Sequence, residues 1–226
     1  ASTNIAVSTV QSADTCDWYN FTASNIYLDC SGYKISRYNT IEDWAVQAQN
    51  LTNVSVKNCY FANWTHGIYY YNTTYSNITN TTFYNLTDTT SGDVEAVGIK
   101  IGDFSNNSVI DGVNITLVFA NSSSVTLCYN NSNSRGIWIA SSNTTTVKNS
   151  ILSNVVGYSQ GFYDSIDQVC LADNRISLGE GIHLENSHNF TMINTSLNIG
   201  YYGINATSSN YTNITQSNFS FFNFLY

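Results

Sequence analysis

The sequence predicts an all-β chain wound as a right-handed, single-stranded parallel β-helix, and three observations predict it. GIHLENSHNFTMINTSLNIGYY (181–202) is followed at once by GINATSSNYTNITQSNF (203–219), a second block of the same layout 22 residues on. A fixed period near this length marks a solenoid. The 226 residues hold no proline, which suits backbone ladders, because proline lacks the N–H that a central strand donates. Within each block apolar and polar residues alternate with the period of a half-buried strand.

Residues 1–24 do not fit the period and read as an N-terminal cap or linking segment over an open strand edge. Residues 25–219 read as the coils and 220–226 as an aromatic C-terminal segment, the whole forming one domain. The coils open with NIYLDCSGYKI (25–35), which alternates as a strand. A glycine-like position then recurs at Ala45, Gly67, Gly98, Gly136, Gly181 and Gly203, with spacings of 22, 31, 38, 45 and 22. The base coil is therefore 22 residues, and three coils carry inserts, roughly 84–96, 117–134 and 153–180. These are expected to leave one corner as loops and lie together on one side. Ile68, Ile99, Ile101, Ile137, Ile139, Ile182, Leu184 and Ile204 point into the core. The second strands align as VSVKNCYF (54–61), NITNTTF (77–83), SVIDGVNI (108–115), TTVKNSIL (145–152), FTMINTSL (190–197) and NITQSNF (213–219). That alignment stacks Asn58, Asn80, Asp111, Asn149, Asn194 and Gln216 in one column, read as a buried amide ladder.

TCDWYNFTASNIYLDCSGYKI (15–35), with NVSVKNCYF and GIYYYNTTYSNITNTTF after it, resembles the opening of secreted right-handed β-helix proteins. These form the NosD-like and pectate-lyase-like class with parallel β-helix repeats, common on archaeal surfaces. The resemblance covers about residues 25–219. It implies the fold and leaves function open, since the class includes lyases, hydrolases, adhesins and structural proteins.

Charged residues are 10% of the chain and net charge is −8, which argues against a nucleic-acid partner. No apolar run reaches membrane-spanning length. The start Ala1-Ser2-Thr3 suits a processed secreted chain, so the expected location is extracellular or at the cell surface. Asn-X-Ser/Thr sequons are dense, and N-glycans are expected at Asn20, Asn50, Asn63, Asn72, Asn85, Asn106, Asn121, Asn130, Asn143, Asn205 and Asn210. None is expected on the ladder positions Asn80 and Asn194. In an oxidising compartment most of the five cysteines should pair. Cys128 with Cys170, in neighbouring inserts, and Cys16 with Cys30, across the cap, are the first choices. Cys30 with Cys59 competes, on adjacent coils.

The outward column of the first strand reads Gln47, Tyr69, Lys100, Trp138, His183, Asn205. Tyr69, Trp138 and His183 on that column are read as a carbohydrate face. The family's polygalacturonase-type and pectate-lyase-type catalytic segments are absent, and no catalytic residue, metal site or cofactor is assigned. The terminal apolar residues Phe219, Phe221, Phe222, Phe224, Leu225 and Tyr226 are read as a self-association segment. The function read from the sequence is a non-enzymatic, N-glycosylated extracellular structural protein that self-assembles head to tail. The alternative is a carbohydrate-binding or carbohydrate-active β-helix that takes an external polysaccharide.

Overall fold

The computed structural model describes residues 2–37, 44–88, 94–121, 132–164, 169–176, 179–199, 202–210 and 212–221. Strands β1 to β24 are numbered along the chain. The first sheet, sheet A, takes β1 (Ser2–Ile5), β3 (Trp18–Phe21), β6 (Trp44–Gln49), β9 (His66–Tyr71), β12 (Val94–Gly102), β15 (Ser132–Ala140), β19 (Gly179–Glu185) and β22 (Tyr202–Thr207). Sheet B takes β2 (Thr9–Val10), β4 (Ile26–Asp29), β7 (Val54–Lys57), β10 (Asn77–Thr79), β13 (Val109–Asp111), β16 (Thr146–Lys148), β20 (Thr191–Ile193) and β23 (Asn213–Thr215). Sheet C takes β5 (Lys34–Ser36), β8 (Tyr60–Ala62), β11 (Thr82–Asp88), β14 (Asn114–Asn121), β17 (Ile151–Asp164), β21 (Ser196–Ile199) and β24 (Asn218–Phe221). Every neighbouring pair along these three sheets is parallel, and β18 (Val169–Ile176) folds back antiparallel on β17. Each coil visits A, B and C in turn. This is a parallel β-helix.

The register is the one the glycine spacing predicts. Ile68, Ile99, Ile137, Ile182 and Ile204 pair in sequence across sheet A. The first four are fully buried, and Ile204 packs against the core at its end. Sheet B contributes Leu28, Val56, Ile78, Ile110, Val147 and Met192, and sheet C contributes Phe61, Phe83, Ile115, Leu152 and Leu197. Three apolar columns thus close one core running the length of the solenoid, with Phe61 and Phe83 stacked at 5.2 Å.

The recurring glycine has a packing cause. A Cβ on Gly98 would lie 2.4 Å from the Gly136 carbonyl oxygen and 2.9 Å from Ile115. Gly67 and Gly181 are as tightly enclosed, each by the next coil's backbone and a sheet C side chain. At these glycines strand passes strand too closely for a side chain, whereas Ala45 at the same position of an earlier coil keeps its methyl group buried.

Four expectations change. The amide column stands on the outside of the B-to-C corner. Asn58, Asn80, Asn149, Asn194 and Gln216 have φ between 46° and 54°, and Asn80, Asn149 and Asn194 are exposed. A left-handed corner residue turns its side chain outward, and the residue after it faces in. Cys59, Thr81, Val113, Ser150 and Thr195 fill that inner column. Asp111 is not the corner residue; Gly112 is (φ 64°), and Asp111 accepts from Asn149 Nδ2 at 2.8 Å. The ladder is real but exposed, with Asn194 Nδ2 donating to Asn149 Oδ1 at 2.9 Å. The reason for withholding sugar from Asn80 and Asn194 therefore falls.

The inserts all fall between sheets C and A, but their described parts are strands rather than loops. β11, β14 and β17 run on past the core residues, and Leu86, Val118 and Val155 pair in register and are fully buried. Residues 1–24, read as cap or link, carry β1, β2 and β3, which add a coil in parallel register.

Cys30 pairs with Cys59, not with Cys16, across a Cα separation of 4.7 Å. Both stand at the B-to-C corner, where Asp29 and Lys57 pair on adjacent strands. Cys16 is free and exposed, beside Thr15, which bridges Ile35 on the other flank of that corner. Cys128 lies outside the described residues, and with it the Cys128–Cys170 pairing. Non-reducing peptide mapping should recover Cys30 and Cys59 in one linked species, with Cys16 alkylated without denaturant. A Cys16–Cys30 peptide would contradict this geometry.

Candidate functional site

The outer face of sheet A differs from those of the other two sheets. Sheet B presents Asp29, Lys57, Thr79, Asp111 and Lys148, in two ion pairs of 3.2–3.3 Å. Sheet C presents mostly short polar groups such as Thr82, Asn114, Thr116 and Ser196, with Tyr60 and Tyr84 among them. Sheet A presents a continuous band of rings and ionisable groups.

The pairing sets Gln47, Tyr69, Lys100, Trp138, His183 and Asn205 side by side on successive coils, roughly 4.8 Å apart. A second column joins them from one residue before each glycine position: Trp44, His66, Val97, Arg135, Glu180 and Tyr202. Trp44 stacks on His66 at 4.5 Å and on Tyr69 at 4.9 Å. Tyr71 meets Tyr69 edge-on at 6.1 Å. Lys100 Nζ stands 5.4 Å from the Tyr69 ring centre and 3.4 Å from that of Trp138. The Arg135 guanidinium lies 4.3 Å from the same indole, and His183 packs edge-on to it at 6.1 Å. Two cations on one indole make a strong electrostatic clasp.

Arg135 is itself held by acids. Its Nε donates to Glu180 Oε2 at 3.0 Å and its Nη1 donates to Glu95 Oε1. Glu180 Oε2 also lies 2.8 Å from His183 Nδ1, and Glu180 Oε1 accepts from Asn205 Nδ2 at 2.6 Å. Asp88, buried at the end of β11, accepts the Glu95 N–H at 3.0 Å. Burial pushes the Glu180 carboxyl up, but the bonds from His183 and Asn205 and the charges of His183 and Arg135 bring it below its ordinary value. Burial dominates at Lys100 and lowers its pKa, with Glu95 opposing and Arg135 assisting. The Tyr69 hydroxyl is raised, first by burial and then by Asp103 and Tyr71.

Of the residues expected to form the carbohydrate face, the structure brings Tyr69, Trp138 and His183 onto one surface. It gives them different surroundings. Tyr69 belongs to a ring platform, Trp138 is clasped between cations, and His183 is buried against Glu180. Trp44, His66, Glu95 and Arg135 escape the sequence reading. Simple alternation puts residues 66, 68 and 70 on one side, yet His66 meets the outward Trp44, because the chain bends at the glycine. The signal was present as the residue preceding each glycine.

The sequon amides differ in availability. Asn72 Nδ2 donates to Asn50 Oδ1 at 2.8 Å and Asn85 Nδ2 to Asn63 Oδ1 at 2.9 Å. Asn20 Nδ2 approaches Asn4 Oδ1 at 3.4 Å, and Asn205 is engaged by Glu180. Asn106 Oδ1 accepts the Asn143 N–H and Asn143 Oδ1 accepts that of His188. Asn210 is exposed. The Asn121 side chain and Asn130 lie outside the described residues. Phe219 is 37% exposed on β24, whereas the Phe221 side chain and residues Phe222, Phe224, Leu225 and Tyr226 lie outside them. Among the described residues no helix is long and apolar enough to cross a membrane, and no cluster of three metal-ligating side chains forms.

No protein-family model and no curated protein matches the chain. Among solved structures, an alginate lyase from Paenibacillus sp. str. FPU-7 is similar at 11% identity over 91% of this chain and 92% of that one, with a TM-score of 0.42. The catalytic domain of a GH87 alpha-1,3-glucanase is similar at 10% identity over 96% of this chain and 63% of that one, TM-score 0.20. The A-module of the Azotobacter vinelandii mannuronan C-5 epimerase AlgE4 is similar at 9% identity over 92% and 80%, TM-score 0.18. The β-helix assignment itself stands on the pairing registers.

Proposed function

We propose that the protein is a carbohydrate-binding β-helix that holds an extended polysaccharide along the outer face of sheet A. One observation carries the reading: the platform of Trp44, Tyr69 and Tyr71 continues into the Lys100–Trp138–Arg135 cluster on that face. Rings with a polar rim suit sugars, whose C–H faces stack on aromatics while their hydroxyls take hydrogen bonds. Binding rather than hydrolysis is proposed because Glu95 and Glu180 both engage Arg135, whereas a glycosidase needs one acid free to protonate and one to attack or activate water. Affinity electrophoresis through gels containing soluble polysaccharides tests this. At least one acidic or neutral polysaccharide should retard the protein. Failure of every member of a broad panel would end the reading.

A second reading has its own observation. Among the described residues β23 is exposed throughout, with Ile214 41% and Phe219 37% exposed. This favours an N-glycosylated extracellular structural protein that associates head to tail, and the Cys30–Cys59 bond suits an oxidising compartment. Filaments seen by electron microscopy, and lost on deletion of 219–226, would support it. A strict monomer across a concentration series would refute it. Intact mass before and after deglycosylation tests the glycans.

A further inference from the structure

The corner between sheets A and B is built alike in nearly every coil. Five residues (50–54, 72–76, 141–145, 186–190) separate the sheet A column of Gln49, Tyr71, Ala140 and Glu185 from the sheet B column of Ser55, Asn77, Thr146 and Thr191. Between β12 and β13 there are six, 103–108, since Gly102 pairs with Tyr71 but Val109 pairs with Asn77. The small inner residues remain aligned through this corner: Thr73 N–H donates to Ser105 Oγ, and Ser105 N–H donates to Ser142 Oγ. The extra residue therefore sits outside that column, and it falls at Asp103-Phe104. Phe104 is 67% exposed with φ 65°.

One coil earlier the same corner holds a second exception. The last left-handed position of the corner is Asn25, Asn53, Asn107, Thr144 and Asn189 in other coils, and Tyr75 in this one, with φ 55° and 62% exposure. Asparagine tolerates this backbone, and an aromatic residue is strained in it. Two adjacent coils thus hold exposed rings on strained backbone, where their neighbours use small polar residues. Strain of this kind points to a use. Tyr71, 37% exposed at the end of β9, stands between this corner and Tyr69.

We infer that Phe104 and Tyr75, with Tyr71, form a distal subsite that stacks on further sugar residues of a chain held on sheet A. The inference rests on the carbohydrate reading and adds to it that the bound chain is long and turns over the A-to-B corner. Asn72, Thr74, Asn106 and Asn107 ring the corner with hydrogen-bonding groups, and Asp103 is the one charge in 103–108. An uncharged stretch of glycan fits this lining.

The test is a length series of oligosaccharides cut from whichever polysaccharide retards the protein, titrated against the full chain and against Phe104→Asn and Tyr75→Asn. Asparagine is the native residue at the Tyr75 position in four other coils (Asn25, Asn53, Asn107 and Asn189), and it tolerates the left-handed backbone that Phe104 also adopts, so both variants should fold with an unchanged or raised Tm. The expected result is a loss of at least tenfold in affinity for the longest oligosaccharides, with the shortest unaffected. Equal affinities at all lengths would overturn the subsite while leaving the sheet A site standing. Equal losses at every length would also overturn it, since the corner would then belong to the primary site. Absence of binding by the unaltered protein defeats both readings. A fall in Tm of the asparagine variants would contradict the strain argument.

Discussion

Gly98→Ala is expected to cost on the order of 4 kcal/mol, above the usual range for an overpacked core. The added methyl group meets the Gly136 carbonyl oxygen at 2.4 Å and Ile115 at 2.9 Å. Neither can give way: the carbonyl belongs to the next coil's ladder, and Ile115 is fully buried in sheet C. Relief requires the coils to separate locally, which breaks parallel hydrogen bonds on both sides. Gly102→Ala is the control. Its Cβ meets the Tyr69 side chain at 3.1 Å and nothing closer, so a small ring movement suffices and stability should hold within about 1 kcal/mol. Urea unfolding of the two variants measures the contrast. Equal effects would mean that the recurring glycine has no packing role.

Glu180→Gln is expected to cost about 3 kcal/mol near neutral pH, the low end for breaking one side of a buried ion pair, because Arg135 keeps Glu95. The Glu180 and Arg135 side chains are 8% and 12% exposed, so little solvent replaces the lost charge. The pH dependence has a definite sign. The folded-state pKa of Glu180 lies below its ordinary 4.5, so its carboxylate stabilises the fold above that value, and the contribution fades as pH falls through the lowered pKa. The stability gap between the unaltered protein and the variant should therefore be full at pH 7 and shrink in acid. A gap constant from pH 7 to 3 would show that the variant acts through packing instead.

How much of this was legible in the sequence follows from what each feature depends on. Ile68, Ile99, Ile137, Ile182 and Ile204 were legible because glycine marks the register even across inserts. The amide column was legible as a column but was placed on the wrong side, since the left-handed corner that turns Asn80 and Asn194 outward interrupts alternation. Arg135 and Glu180 are 45 residues apart in sequence, separated by an insert, and each stands beside a glycine where alternation also fails. Their union depends on tertiary register, as does the choice of Cys59 over Cys16 for Cys30. Phe104 was hidden because one extra residue in a corner leaves the glycine spacing of 38 to the next coil unremarkable.

The most direct measurement is calorimetric titration of a retained polysaccharide against Tyr69→Ala and Tyr84→Ala. Both remove a tyrosine from an outer strand face, one on sheet A and one, 44% exposed, on sheet C. A binding site on sheet A predicts at least a tenfold loss for Tyr69→Ala, about 1.4 kcal/mol, and an unchanged Kd for Tyr84→Ala. Equal affinities for the two variants, or a loss confined to Tyr84→Ala, would contradict it.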